Sequence, residues 1–163
     1  DGEKENLVEF LKLNEIAVQP LFPVTSARFQ RLDSKKEIDR TFNFTWMDKL
    51  PEGNEVIAGK WFENENNGIS ISSEISERYE LQVNDQIVID IAGKKISSYI
   101  QSIREVNWEN FSPNFFAIGF PEDFKEISST FITSFHIPQE KKPLSSELMK
   151  TFPTISYLSL IHI

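Results

Sequence analysis

The stretch ISISSEISERYELQVNDQIVI at residues 69–89, followed by AGKKISSYIQSIREV at 92–106, decides the fold. Ile69 and Ile71 alternate with serine as a half-buried strand does. The period then changes to the helical one from Ser73 to Tyr79, with Ser72 or Ser73 as the cap. Leu81-Gln82-Val83-Asn84-Asp85 reads as a turn, and Gln86 to Ile91 with Lys95 to Arg104 reads as a hairpin across Ala92-Gly93-Lys94. Strand, short helix and hairpin in such close succession describe a compact β lobe.

Upstream, Val56 to Trp61 is a strand that precedes the loop Glu63 to Gly68, and Thr41 to Trp46 and Val24 to Asp33 offer two more. Leu7, Phe10 and Leu11 recur at helical spacing, so Glu3 to Leu13 is an amphipathic helix that Asn14 stops. Downstream, the sequence predicts a strand at Phe115 to Phe120, a short helix at Pro121 to Ile127 and a strand at Thr130 to Ile137. A helix at Pro143 to Phe152, with Leu144, Leu148 and Met149 inward, and a strand at Thr154 to Ile163 complete the chain. These outer segments read as βαβ units. The expected fold class is therefore α+β in two lobes, a βαβ-type outer layer at 1–34 plus 112–163 and an inserted small β-rich lobe at 35–111. The final strand stops without a turn or polar tail, and Asp1 is no initiator, so the chain reads as a piece cut from a longer one.

Composition narrows the chemistry. A net charge of -8 over 163 residues repels a phosphate backbone, which excludes nucleic acid as a partner. With no cysteine there is no disulfide, thiolate nucleophile or Cys-based zinc site, and His136 and His162 read as structural imidazoles in strands. Phosphate cradles, zinc-hydrolase helices and nucleophile elbows all lack their residues, so the domain itself reads as no enzyme, with no cofactor and no metal. Glu63, Glu65, Asn67, Gly68 and Glu74 imitate a calcium loop. The first ligand is the wrong acid and the preceding segment is strand-like, so a solvated hairpin loop is the better reading. The doublets Lys35-Lys36, Lys94-Lys95 and Lys141-Lys142 are too short for a lipid-binding cluster.

Phenylalanine is the unusual residue, with 14 copies against three tyrosines and three tryptophans. In WENFSPNFF, residues 108–116, the rings crowd a segment broken by proline and polar residues, where a regular strand buries only alternate side chains. Trp108, Phe111, Phe115 and Phe116 are the candidate contacts for a hydrophobic substrate or a protein partner; the competing reading makes them a plug between the lobes.

The strings at 69–89 and 92–106 resemble the extracytoplasmic domain of FtsX-like and MacB-like ABC transporter permeases, where a strand, short helix, "lkvGD" turn and hairpin recur. RTFNFTWMDKLPEGNEVIAGKWF at 40–62, VNWENFSPNFFAIGFP at 106–121 and TFITSF at 130–135 are similar to the YbbP-type branch. Asn84 stands where the broader family usually has glycine, and Asn tolerates positive φ. The resemblance implies a porter-like outer layer and the periplasmic domain of an inner-membrane protein in a Gram-negative bacterium. It also implies an ABC ATPase subunit reached through the missing transmembrane part. Such a domain couples ATP-driven helix motion to handling of a hydrophobic substrate or a periplasmic partner, and a homodimer is compatible with it. The rival reading is a free-standing soluble ligand-binding or scaffold module.

Overall fold

The computed structural model describes residues 2–33, 37–38, 40–63, 68–110 and 112–158. Among these the elements are, in chain order, α1 (Gly2–Leu13), β1 (Phe22–Arg31), β2 (Thr41–Trp46), β3 (Asn54–Gly59), β4 (Ile69–Ser72), α2 (Ser73–Tyr79), β5 (Gln86–Ile91) and β6 (Lys94–Val106). After these come β7 (Ala117–Gly119), α3 (Pro121–Phe124), β8 (Thr130–Ile132), a 3-10 turn (Gln139–Lys141) and α4 (Pro143–Thr151). The fold is mixed α and β, rich in strand and sparing in helix. The chain divides into two compact units, Asp1–Pro20 with Ser134–Ile163, and Leu21–Thr133.

In the unit spanning Leu21–Thr133 the strand pairings close on themselves. Antiparallel β1–β2, parallel β2–β7, antiparallel β7–β4, parallel β4–β6 and antiparallel β6–β5 and β5–β1 return the ladder to its first strand. β3 extends the ring on β6, and β8 extends it on β1. Closure satisfies the backbone groups that an open sheet leaves along its edges. Alternate residues then line one core: Ala27 and Phe29, Phe42 and Phe44, Ile69 and Ile71, and Ile87, Ile89 and Ile91 are all buried, joined by Ile100 and Ala117. Each isoleucine or phenylalanine among them contributes about 1.5–3 kcal/mol by leaving water. Phe29, Phe42, Phe44 and Phe124 meet ring to ring, with Phe44 and Phe124 centroids 4.8 Å apart.

Two turns follow local chemistry closely. Ser72 caps α2 by accepting from the Ile75 N–H, and Ala92 and Gly93 both take positive φ (52° and 88°), as a two-residue hairpin with the strands' twist requires. Asn84 adopts φ 75°, the conformation that the glycine of the resembling motif would supply.

In the other unit Leu7, Leu11, Ile16, Leu144, Leu148 and Phe152 form the core, with Phe10 edge-on to Phe152 at 5.7 Å. α1 ends in a Schellman motif: Glu15 N–H donates to Lys12 O and Ile16 N–H to Leu11 O, both at 2.9 Å, and Ile16 and Leu11 share the core. The Thr154 hydroxyl donates to the Glu3 carboxylate, so the first turn of α1 lies beside residue 154.

Several expectations are corrected. β1, β7 and β8, which lie in the segments assigned to the outer layer, belong to the same sheet as the strands of the expected inserted lobe, because β1 pairs with β2, β5 and β8 and β7 pairs with β2 and β4. α3 joins β7 to β8, but the two strands do not lie side by side, since β2 and β1 stand between them. Residues 154–158 form a turn and irregular chain where a strand was expected; the rest of that expected strand, with His162, lies outside the described residues. Met149 is exposed, because it follows Leu148 by about 100° around α4 and only one of the two can face inward. His136 lies exposed beyond the Val18–Phe135 bridge instead of within a strand.

Candidate contact site

Between β6 and β7 the described residues 107–110 and 112–116 have no regular structure, so side chains hold their backbone. Asn107 N–H donates to Gly53 O at 2.9 Å, and the Asn114 amide donates to Asn107 O at 3.0 Å and to Asn110 Oδ1 at 2.6 Å. The Asn110 amide donates to Glu52 O at 3.2 Å, and the Asn54 amide to Asn114 Oδ1 at 3.3 Å. Four asparagines thus tie this segment to the turn before β3.

Behind them stands Arg104, fully buried on β6. Its Nε donates to Ser70 Oγ at 2.8 Å, its Nη2 to Phe115 O at 3.0 Å and its Nη1 to Asn54 Oδ1. Ser102 Oγ lies 2.8 Å from the same serine oxygen. Burial lowers the Arg104 guanidinium from its ordinary value to about 9, since neutral oxygens replace water around the cation.

The four expected contact residues separate. Phe115 is buried among Met47, Phe62 and Ile118 and meets Phe22 edge-on at 6.0 Å, so it faces the interior. Phe116 turns the other way and packs, half-buried, against the main core, its centroid 6.3 Å from that of Phe42, with Trp108 stacked obliquely on it at 4.7 Å. Phe111 lies outside the described residues. Trp108 is 39% exposed, and the Arg40 guanidinium sits 4.8 Å over the Phe116 ring and 5.4 Å over Phe42. Trp108, Phe116 and Arg40 therefore make one surface patch of two rings and a cation, held together by contacts of about 0.5–1 kcal/mol each. Arg40 escaped the sequence reading because 68 residues separate it from Trp108 and only the closed sheet brings β2 beside the β6–β7 connection. Arg104 escaped because a lone arginine in a strand ordinarily faces solvent.

Other candidate chemistry does not assemble. Among the described residues no group of three or more His, Asp or Glu side chains is placed to hold a metal. Glu74 lies in the first turn of α2, next to Ser73, whose hydroxyl donates to Glu105 at 2.9 Å; residues 64–67 of the calcium-like loop, and Lys35-Lys36, lie outside the described residues.

No family model matches the chain. It is 26% identical over 162 residues to the ABC transporter permease YbbP of Escherichia coli strain K12, a match that covers 94% of this chain and 20% of that protein. A crystallised domain assigned to a permease protein of Porphyromonas gingivalis is similar with a TM-score of 0.44 and 14% identity, covering 87% of this chain and 73% of that one. Across nearly its whole length the chain is thus similar to an ABC transporter permease of the YbbP type, of which it spans about one fifth.

Proposed function

We propose that this chain is the periplasmic domain of an inner-membrane ABC transporter permease in a Gram-negative bacterium, of the FtsX-like and MacB-like kind. One observation carries the reading: the match takes up 94% of this chain but only 20% of the Escherichia coli permease, as expected of one extramembrane domain in a larger membrane protein. Among the described residues no helix is long and apolar enough to cross a bilayer, so in this reading the crossing segments belong to the rest of the permease. The Thr154 to Glu3 hydrogen bond supports it further, because two tethers leaving for one membrane need their roots side by side. A separate ABC ATPase would drive the tethers, and the domain would pass that motion to a hydrophobic substrate or a periplasmic protein through Trp108 and Phe116. Phe115 drops out of the contact by its burial. The domain performs no catalysis in this scheme.

The test compares the intact permease with and without one added cysteine in this domain, which has none of its own. In the intact permease, Lys49→Cys places a thiol on an exposed turn of this domain. A membrane-impermeant maleimide should label it in whole cells whose outer membrane alone has been opened. Labelling only after the inner membrane is broken would refute the periplasmic placement.

A further inference from the structure

The buried arginine is out of proportion to a purely structural task. Removing a guanidinium from water is costly, and replacing a buried charge cluster with apolar side chains of similar size is often neutral or stabilising. Arg104 also has no carboxylate partner among the described residues; its acceptors are Ser70 Oγ, Asn54 Oδ1 and Phe115 O. What a methionine cannot do there is point three donors in fixed directions.

Those directions matter because each acceptor belongs to a different segment. Ser70 is on β4, Asn54 opens β3, and the Phe115 carbonyl belongs to the irregular connection before β7. Phe116 O accepts from Ser72 N–H at 2.8 Å, so the two successive carbonyls of Phe115 and Phe116 are held by separate partners. Holding them fixes the peptide planes on either side of Phe116 and with them the opposite sides to which the Phe115 and Phe116 rings turn. Asn54 then relays the anchoring to Asn114, and Asn114 to the carbonyl of Asn107, the residue before Trp108.

We propose that Arg104 is a positioning residue for the contact patch: it locks the connection between β6 and β7 in the one arrangement that buries Phe115 on one side and seats the exposed Trp108 on the half-buried Phe116 on the other. It touches no partner itself. The inference rests on the reading of Trp108 and Phe116 as the contact surface, and adds the device that sets that surface.

The experiment is fluorine NMR of the 163-residue chain with fluorinated tryptophan, which gives one signal each for Trp46, Trp61 and Trp108. In Arg104→Met the Trp46 signal should stay in place while that of Trp108 shifts and broadens, and Trp61, packed against the cluster that holds Phe115, should shift with it. Amide exchange across 107–116 should accelerate by about tenfold or more, the factor that one lost hydrogen bond to a charged group carries in a local opening equilibrium. Asn114→Ala cuts the same relay from the half-exposed side, leaves Arg104 satisfied by its own acceptors, and should reproduce the Trp108 change if Arg104→Met fails to fold. An unmoved Trp108 signal in a folded Arg104→Met or in Asn114→Ala overturns the proposal. So does loss of all three signals together in Asn114→Ala, which would make the relay a general support of the fold. A photocrosslinker at position 108 in the intact permease tests the patch separately. No crosslink there, with the fluorine result as expected, would refute the contact reading and leave the positioning role standing.

Discussion

Gly59 and Gly93 share a backbone conformation and differ in what surrounds them, which separates strain from steric clash. Both have positive φ, 72° and 88°. A Cβ built on Gly93 meets nothing within 4 Å, whereas on Gly59 it falls 2.1 Å from the Gln101 carbonyl oxygen and 3.0 Å from Ser102 Cα. Alanine in the left-handed region costs roughly 1–2 kcal/mol, of which about 0.4–1 kcal/mol is recovered through the less flexible unfolded chain. Gly93→Ala should therefore lose about 0.5–1 kcal/mol. Gly59→Ala adds the overpacking cost of roughly 1–3 kcal/mol, and it acts against β6 backbone, which cannot rotate away as a side chain can. The total is about 2–4 kcal/mol. Trp46, Trp61 and Trp108 all lie within Leu21–Thr133, so tryptophan fluorescence follows that unit alone. With a urea slope of about 2 kcal/mol per M, the midpoint should fall by about 1–2 M for Gly59→Ala and by less than about 0.5 M for Gly93→Ala. Equal midpoints for the two variants would refute the close approach of the β3 end to β6.

Further outcomes follow from the same geometry. Phe44→Ala should cost about 3–5 kcal/mol in the same urea titration, because the ring is fully buried against Phe29 and Phe124 and leaves a cavity; a loss under about 1 kcal/mol would contradict the core assignment. Asn84→Gly should hold or raise the midpoint, whereas Asn84→Val should lose about 1–3 kcal/mol, since a β-branched side chain is strained at φ 75°; equal stability of the two would deny the turn. Calcium should produce no binding heat by calorimetry, and micromolar affinity that vanishes in Glu74→Gln would overturn the reading that Glu63 to Glu74 holds no calcium site. Esterase, phosphatase and peptidase substrates should turn over no faster than in buffer; a rate abolished by one Ser or Asp substitution would show a site that neither motif nor geometry revealed.

Legibility in the sequence tracked the range of the forces involved. The α2 cap at Ser72, the hairpin at Ala92-Gly93, the stop of α1 at Asn14 and the left-handed Asn84 depend on neighbours a few residues away, and each formed where local sterics and hydrogen bonding placed it. The surface patch was half legible: Trp108 and Phe116 were visible as crowded aromatics, but their sidedness, the inward turn of Phe115 and the part played by Arg40 were not.

By itself the sequence determined the classes: a β-rich mixed α and β chain of net charge -8, without the catalytic motifs sought, and similar to an ABC permease domain. Only the tertiary structure decided that β1 joins β5, that β4 and β6 run parallel, and that the ring closes where an inserted lobe with βαβ flanks was expected. Periodicity tells which side of a strand is apolar but not which distant strand lies beside it. That choice is made by backbone edges competing for partners and by the burial of Arg104, whose hydrogen bonds reach residues 34 and 50 positions away along the chain.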